Sequence, residues 1–207
     1  MTRVFVSSTS KDLGEFRAVL RDALAEAGYE IADMAHFGAQ DGDAVQVSED
    51  ELKRSDVVVG IYALRYGYIP EGSTKSITEM EYDWAFQYKK PILCFVLDEN
   101  FKNPRSVLQK NQDPEYGEQL ADFKDRIMKQ RVVATFNDAK GLAASVIASL
   151  RKWESRTNKN SESDDPPEAV TITINADHNS GVIVGKIGNI SGGNNNFGSN
   201  NTTNNNT

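Results

Sequence analysis

A chain of 207 residues, 39% of them hydrophobic, has the length of one globular domain plus an appendage and enough apolar residues to bury a core over most of it. Its formal charge of −7 argues against a surface built mainly to hold DNA or RNA phosphates, because that binding draws on clustered Lys and Arg. Cys94 is the single cysteine, so no disulfide forms within the chain, and its place in the apolar run "PILCFV" reads as a buried small hydrophobe.

In chain order, short apolar runs alternate with longer segments of helical period, the sequence sign of a parallel sheet with helices on its faces. "RVFVSS" at residues 3–8 predicts the first strand. Leu13, Phe16, Leu20, Leu24 and Ala27 then recur at three- and four-residue steps, giving one apolar helix face that stops at Gly28. "YEIADM" is the second strand, residues 44–54 a weaker helix, and "DVVVGIYAL" a near-continuous apolar run expected of a central strand covered on both sides. After the loop "RYGYIPEGSTKS" come a short helix and the strand "PILCFVL". Residues 98–113 mix polar and breaker residues and predict an irregular insertion. A helix over 114–129 follows, with Leu120, Phe123, Ile127 and Met128 inward; "VVATF" is the fifth strand, and a closing helix over 138–156 presents Leu142, Val146, Leu150 and Trp153. This order predicts a flavodoxin-like doubly wound α/β fold, a five-stranded parallel sheet in the order 2-1-3-4-5.

The domain is expected to span residues 1–156, followed by a linker over 157–168 whose charge, Ser and Pro content cannot bury enough apolar surface to fold. Residues 169–207 differ again, alternating β-branched and polar residues before ending in Asn and Gly, with few charges to oppose stacking. Such a segment is expected either to stay disordered or to pair with copies of itself. The start "MTRVFVSST" lacks the apolar stretch of a secretory signal and no run of about 18 apolar residues suggests a membrane span, so a cytoplasmic protein is expected.

Ligands of doubly wound sheets bind outside the carboxyl ends of the strands, near the switch point in strand order. Three segments converge there: Ser7, Ser8 and Thr9 after strand one; Arg65, Tyr66 and Gly67 after strand three; and Ser76, Thr78, Glu79 and Glu81 at the head of the next helix. Hydroxyls, a cation, an aromatic ring and a carboxylate suit a ribose or phosphate held beside a reactive acid. A carboxylate beneath a sugar stabilises or traps the positive charge that develops as a glycosidic bond breaks. Glu79 and Glu81 lie about 200° apart around a helix, so one faces the pocket and the other is structural. Spacing alone also fits a plain helix start, since "SITE" matches the Ser-x-x-Glu capping box, with Glu79 as its acid. His36 reads as a packed or surface histidine in preference to a catalytic base, and Asp41 and Asp43 as residues that solvate their loop in preference to binding a ribose. The histidines and the cysteine lack any metal-ligand spacing, and no cofactor is expected.

The blocks "VFVSST", "MAHFGAQD", "SDVVVGIYALRYGYIP", "SITEMEYDWA" and "KKPILCFV", in that order, resemble the domain of unknown function 4062 family, a relative of TIR domains and nucleoside 2-deoxyribosyltransferases. The resemblance covers roughly residues 3–150. In the deoxyribosyltransferases a catalytic Glu opens a helix that is followed by Gly-Lys-Pro and a strand; counting back from Lys90 and Pro91, the matching position is Glu81. TIR enzymes use a Glu on the equivalent helix to cleave the nicotinamide bond of NAD. The resemblance therefore implies N-glycosidic cleavage of NAD or another nucleotide at Glu81, with Ser7, Ser8, Thr9, Arg65, Tyr66, Ser76 and Glu79 as substrate-binding residues. Asp83 and Trp84 depart from the transferase pattern, which has small or tyrosyl residues there. "NSGVIVGKIGNISGGNNNFG" resembles the RHIM-like amyloid-signalling motifs attached to bacterial immune effectors. That implies self-association through residues 169–207, or pairing with a protein carrying a similar motif, in antiphage defence or cell death. The competing expectation is a non-catalytic adaptor that binds a nucleotide or a protein.

Overall fold

A computed structural model describes residues 1–33, 43–101 and 115–162. His36, Asp41, most of the insertion expected over 98–113, and residues 169–207 with their proposed self-assembly lie outside the described residues.

The strands are β1 (Arg3–Ser8), β2 (Glu30–Ala32), β3 (Val57–Tyr62), β4 (Ile92–Leu97) and β5 (Val133–Phe136). They form one parallel sheet in the order β2-β1-β3-β4-β5, as the alternation of runs predicts. The described helices are α1 (Ser10–Glu26), α2 (Ala44–Arg54), α3 (Ile77–Gln87), α4 (Gly117–Gln130) and α5 (Ala139–Glu162).

The pleat assigns each strand residue to one of two cores. Val4, Val6, Val57, Val59 and Ile61 pack with Leu13, Phe16 and Leu20 of α1 and with Leu142, Val146 and Leu150 of α5. The alternate residues turn the other way: Phe5 and Val58 meet Leu52 of α2 and Ala85 of α3, while Tyr62, Cys94 and Val96 meet Phe123 and Ile127 of α4. All six residues of β3 are buried, the environment its apolar run requires. By the same alternation Ser7 shares the face of Phe5, beneath α2 and α3, and this decides its role below.

Gly28 ends α1 in the left-handed region at φ 84°, and Tyr29 N–H closes the turn on the Leu24 carbonyl at 3.0 Å. Two helical expectations need correction. Met128 is 44% exposed, because it lies about 100° past Ile127 on α4, whose inner stripe is Phe123 and Ile127. The closing helix runs on to Glu162, into residues expected to be linker. Around that boundary Ser155 and Thr157 turn their hydroxyls onto the carbonyls of Arg151 and Trp153, at 2.9 and 3.1 Å, so polar side chains are accommodated without leaving the helix. Among the described residues no helix is long and apolar enough to cross a membrane.

Candidate active site

Helix α3 is anchored at its first turn. Ser76, fully buried, is the N-cap, its Oγ accepting from Glu79 N–H at 3.2 Å, as the Ser-x-x-Glu pattern predicts. The Glu79 carboxylate does not return to the cap. It accepts from Arg126 of α4 at 2.7 Å and from the Tyr66 hydroxyl, with Lys75 at 3.7 Å. Arg126 also reaches Asp83 at 2.7 Å, so one guanidinium ties two turns of α3 to α4. Burial, reinforced by the bond to Glu79, pushes the Tyr66 phenol up to about 12. Tyr66, Ser76 and Glu79 thus brace α3 from the α4 side.

Glu81 projects the opposite way, as two residues on a regular helix must. It is 3% exposed and sits under the carboxyl end of β1, where Ser7 Oγ donates to Oε2 at 2.5 Å and Ser48 Oγ of α2 donates to Oε1 at 2.7 Å. Each carboxylate oxygen keeps one lone pair for another donor, since a carboxylate offers about four acceptor sites. Burial pushes the Glu81 carboxyl up from its ordinary 4.5 to about 7, against the hydroxyl bonds and the charge of Arg17, which pull it down; Asp33 adds to the rise.

Glu81 belongs to the wall of a cleft of about 730 Å³ at the carboxyl edge of the sheet, on the switch point between β1 and β3. Ser8, Thr9, Lys11, Arg17, Asp33 and Arg65 are among its polar lining residues. Arg17 and Asp33, both buried, form an ion pair, and Arg17 also donates to the Ser8 carbonyl at 3.3 Å. Ser8 Oγ is buried without a hydrogen-bond partner, whereas Thr9 Oγ1 donates to Asp12 at 2.5 Å. Ser8, Thr9, Arg65 and Glu81 therefore meet on one cleft; Ser7 lies behind it, holding Glu81.

Sequence reasoning passed over Ser48, Arg17, Asp33 and Tyr68. Arg17 carried a readable signal, a charge on the apolar face set by Leu13, Phe16 and Leu20. Asp33 stands directly after β2, the usual place for ligand contacts in such sheets. Ser48 carried none, since a serine four residues before Leu52 is ordinary on a short helix. Among the described residues no group of three or more His, Cys, Asp or Glu is placed to hold a metal ion.

The architecture is that of a doubly wound α/β domain with an acid-floored cleft at its switch point. The chain belongs to the family described as Domain of unknown function (DUF4062), which matches residues 3–151. No curated protein matches the sequence. Solved structures similar to it include the CMP N-glycosidase BcmB of Clostridium botulinum, at 14% identity over 72% of this chain and 99% of that one, TM-score 0.42. The TIR domains of the activated Roq1 resistosome that directly recognizes the pathogen effector XopQ match at 12% identity over 72% and 99%, TM-score 0.47. The 2-desoxiribosyltransferase of Leishmania mexicana matches at 13% identity over 61% and 100%, TM-score 0.37.

Proposed function

We propose that this protein cleaves the N-glycosidic bond of NAD or another nucleotide, with Glu81 as the group that meets the anomeric carbon. One observation carries the reading. The Glu81 carboxylate on the wall of a switch-point cleft is aimed by two hydroxyls and shifted to about 7, so that both its protonation states are populated near neutral pH. The cleft, about 730 Å³, lies within the usual range of about 300–1,000 Å³ for small-molecule sites.

In the proposed reaction the bond between C1′ and the base nitrogen breaks, and its electron pair leaves with the base. The ionised Glu81 stabilises the oxocarbenium-like centre or closes on it as a glycosyl ester. Water then adds to C1′, releases its proton, and restores the carboxylate. Ser7 and Ser48 hold the oxygens in place, and the polar lining residues of the cleft supply contacts for ribose and phosphate.

We place self-association through residues 169–207 as the activating step, on the likeness of that segment to amyloid-signalling motifs, and antiphage defence or cell death as its setting. Incubating the purified full chain with NAD, AMP and CMP, before and after assembly, and following released base by chromatography tests the reading. Wild-type protein is expected to release base, and Glu81→Gln to fall by at least about a hundredfold. A second reading has its own support: Glu81 is 3% exposed with a hydroxyl on each oxygen, which also suits a satisfied acid in a binding-only cleft. Nucleotide binding without turnover by assembled wild-type protein would establish that adaptor and end the enzymatic proposal.

A further inference from the structure

The lining of the cleft also includes the large apolar and aromatic residues Tyr68, Ile69, Ile77 and Tyr116. Tyr68 is 70% exposed, and one exposed aromatic is ordinary on a soluble domain. Its backbone, however, is held on both sides. Gly67 before it takes the left-handed region at φ 106°, and a Cβ there would come within 3.1 Å of Thr78 Oγ1 and 3.3 Å of Thr9 Cγ2. The Tyr68 carbonyl accepts from Ile77 N–H at 2.9 Å, which binds the loop to the first turn of the helix that carries Glu81. The backbone that carries this exposed ring is thus tied to the helix that carries the acid.

Two other apolar lining residues are anchored by packing. The Tyr116 ring lies 6.2 Å from that of Tyr66, tilted at 43°, and Tyr66 is anchored by Glu79 and packed edge-on against Phe123. Ile69 packs on the same cluster. The cleft lining therefore combines charged and hydroxyl groups with aromatic ones, and Glu81 is among them. An N-glycoside likewise joins a polar sugar to a flat base, and the bond between them is the one that must meet the acid.

We propose that Tyr68, backed by Ile69 and Tyr116, is the platform on which the leaving base stacks, and that ring size on this platform sets the preference among bases. The proposal rests on the N-glycosidase reading and names the base-binding residue within it. Stacking on an aromatic side chain is sequence-tolerant and grows with the area of the base, so a purine should be held more tightly than a pyrimidine on the same ribose phosphate.

The test uses the full chain carrying Glu81→Gln, so that turnover does not consume the probe, and titrates AMP, CMP and ribose 5-phosphate by calorimetry. AMP should bind more tightly than CMP. Adding Tyr68→Ala should weaken AMP by about tenfold or more and close the gap to CMP, leaving ribose 5-phosphate unchanged; Tyr68→Phe should retain the parent affinity. Should Tyr68→Ala unfold, Tyr68→Leu keeps bulk while removing the ring face. Unchanged AMP affinity, an equal loss for ribose 5-phosphate, or no AMP binding by the parent would each overturn the platform. Base release by the wild type is read separately: stacking without release leaves Tyr68 in place and removes the chemistry, and release with a Tyr68-independent KM does the reverse.

Discussion

Replacing Glu81 by Gln should stabilise the protein at neutral and alkaline pH while abolishing any chemistry the acid performs. The carboxyl ordinarily ionises at 4.5, the value it regains in the unfolded chain, and burial pushes it to about 7 in the fold. Below 4.5 both states are protonated and the group is neutral in its effect. Between 4.5 and about 7 only the unfolded chain releases the proton, so its contribution to stability is lost as pH rises through that window and the full cost stands above it. At about 1.4 kcal/mol per pH unit, the gap from 4.5 to about 7 amounts to about 3 kcal/mol. Gln keeps the size of the side chain; its carbonyl accepts from one serine hydroxyl and its amide donates to the other, so the site stays satisfied without a charge. Glu81→Gln should therefore unfold about 3 kcal/mol later than wild type at pH 8, roughly 10 °C in melting temperature for a domain of this size, and converge with it near pH 4. Urea titrations of both proteins at half-unit steps from pH 4 to pH 8 measure the difference directly. Parallel curves, with no growth in the difference across that range, would refute a buried, destabilised acid and the catalytic poise inferred from it.

Two further outcomes follow from the same contacts. If Glu81 acts ionised, kcat/KM for base release should rise with pH through about 7, and Ser48→Ala, which removes a bond that favours the ionised form, should move that limb to higher pH; an unmoved limb would assign the titration to another group. Gly67→Ala should cost about 1–3 kcal/mol in a urea unfolding series, from its left-handed backbone and the short approach to Thr78 and Thr9, and should weaken AMP in step with Tyr68→Ala; wild-type stability would show that this loop relaxes freely.

The sheet was legible in the sequence because its signals are local. The near-continuous apolar run "VVVGIY" is short and rich in β-branched residues, as a central strand is, the step of Leu13, Phe16, Leu20 and Leu24 marks one helix face, and the crossovers between them leave few strand orders. The opposed directions of Glu79 and Glu81 were equally local, since helical geometry alone separates neighbours two apart. The partners of those acids were not. Ser7 lies 74 positions and Ser48 33 positions from Glu81 in the chain, and they meet it only because β1 and α2 pack on the same face of the sheet as α3. Tyr66 and Glu79 look like cleft residues by position, yet Arg126, 47 residues further on, draws Glu79 toward α4 and Tyr66 follows it by hydrogen bond. The shift of Glu81 likewise has no counterpart in composition or spacing. It comes from the burial of the carboxyl between packed layers, which only the assembled fold produces.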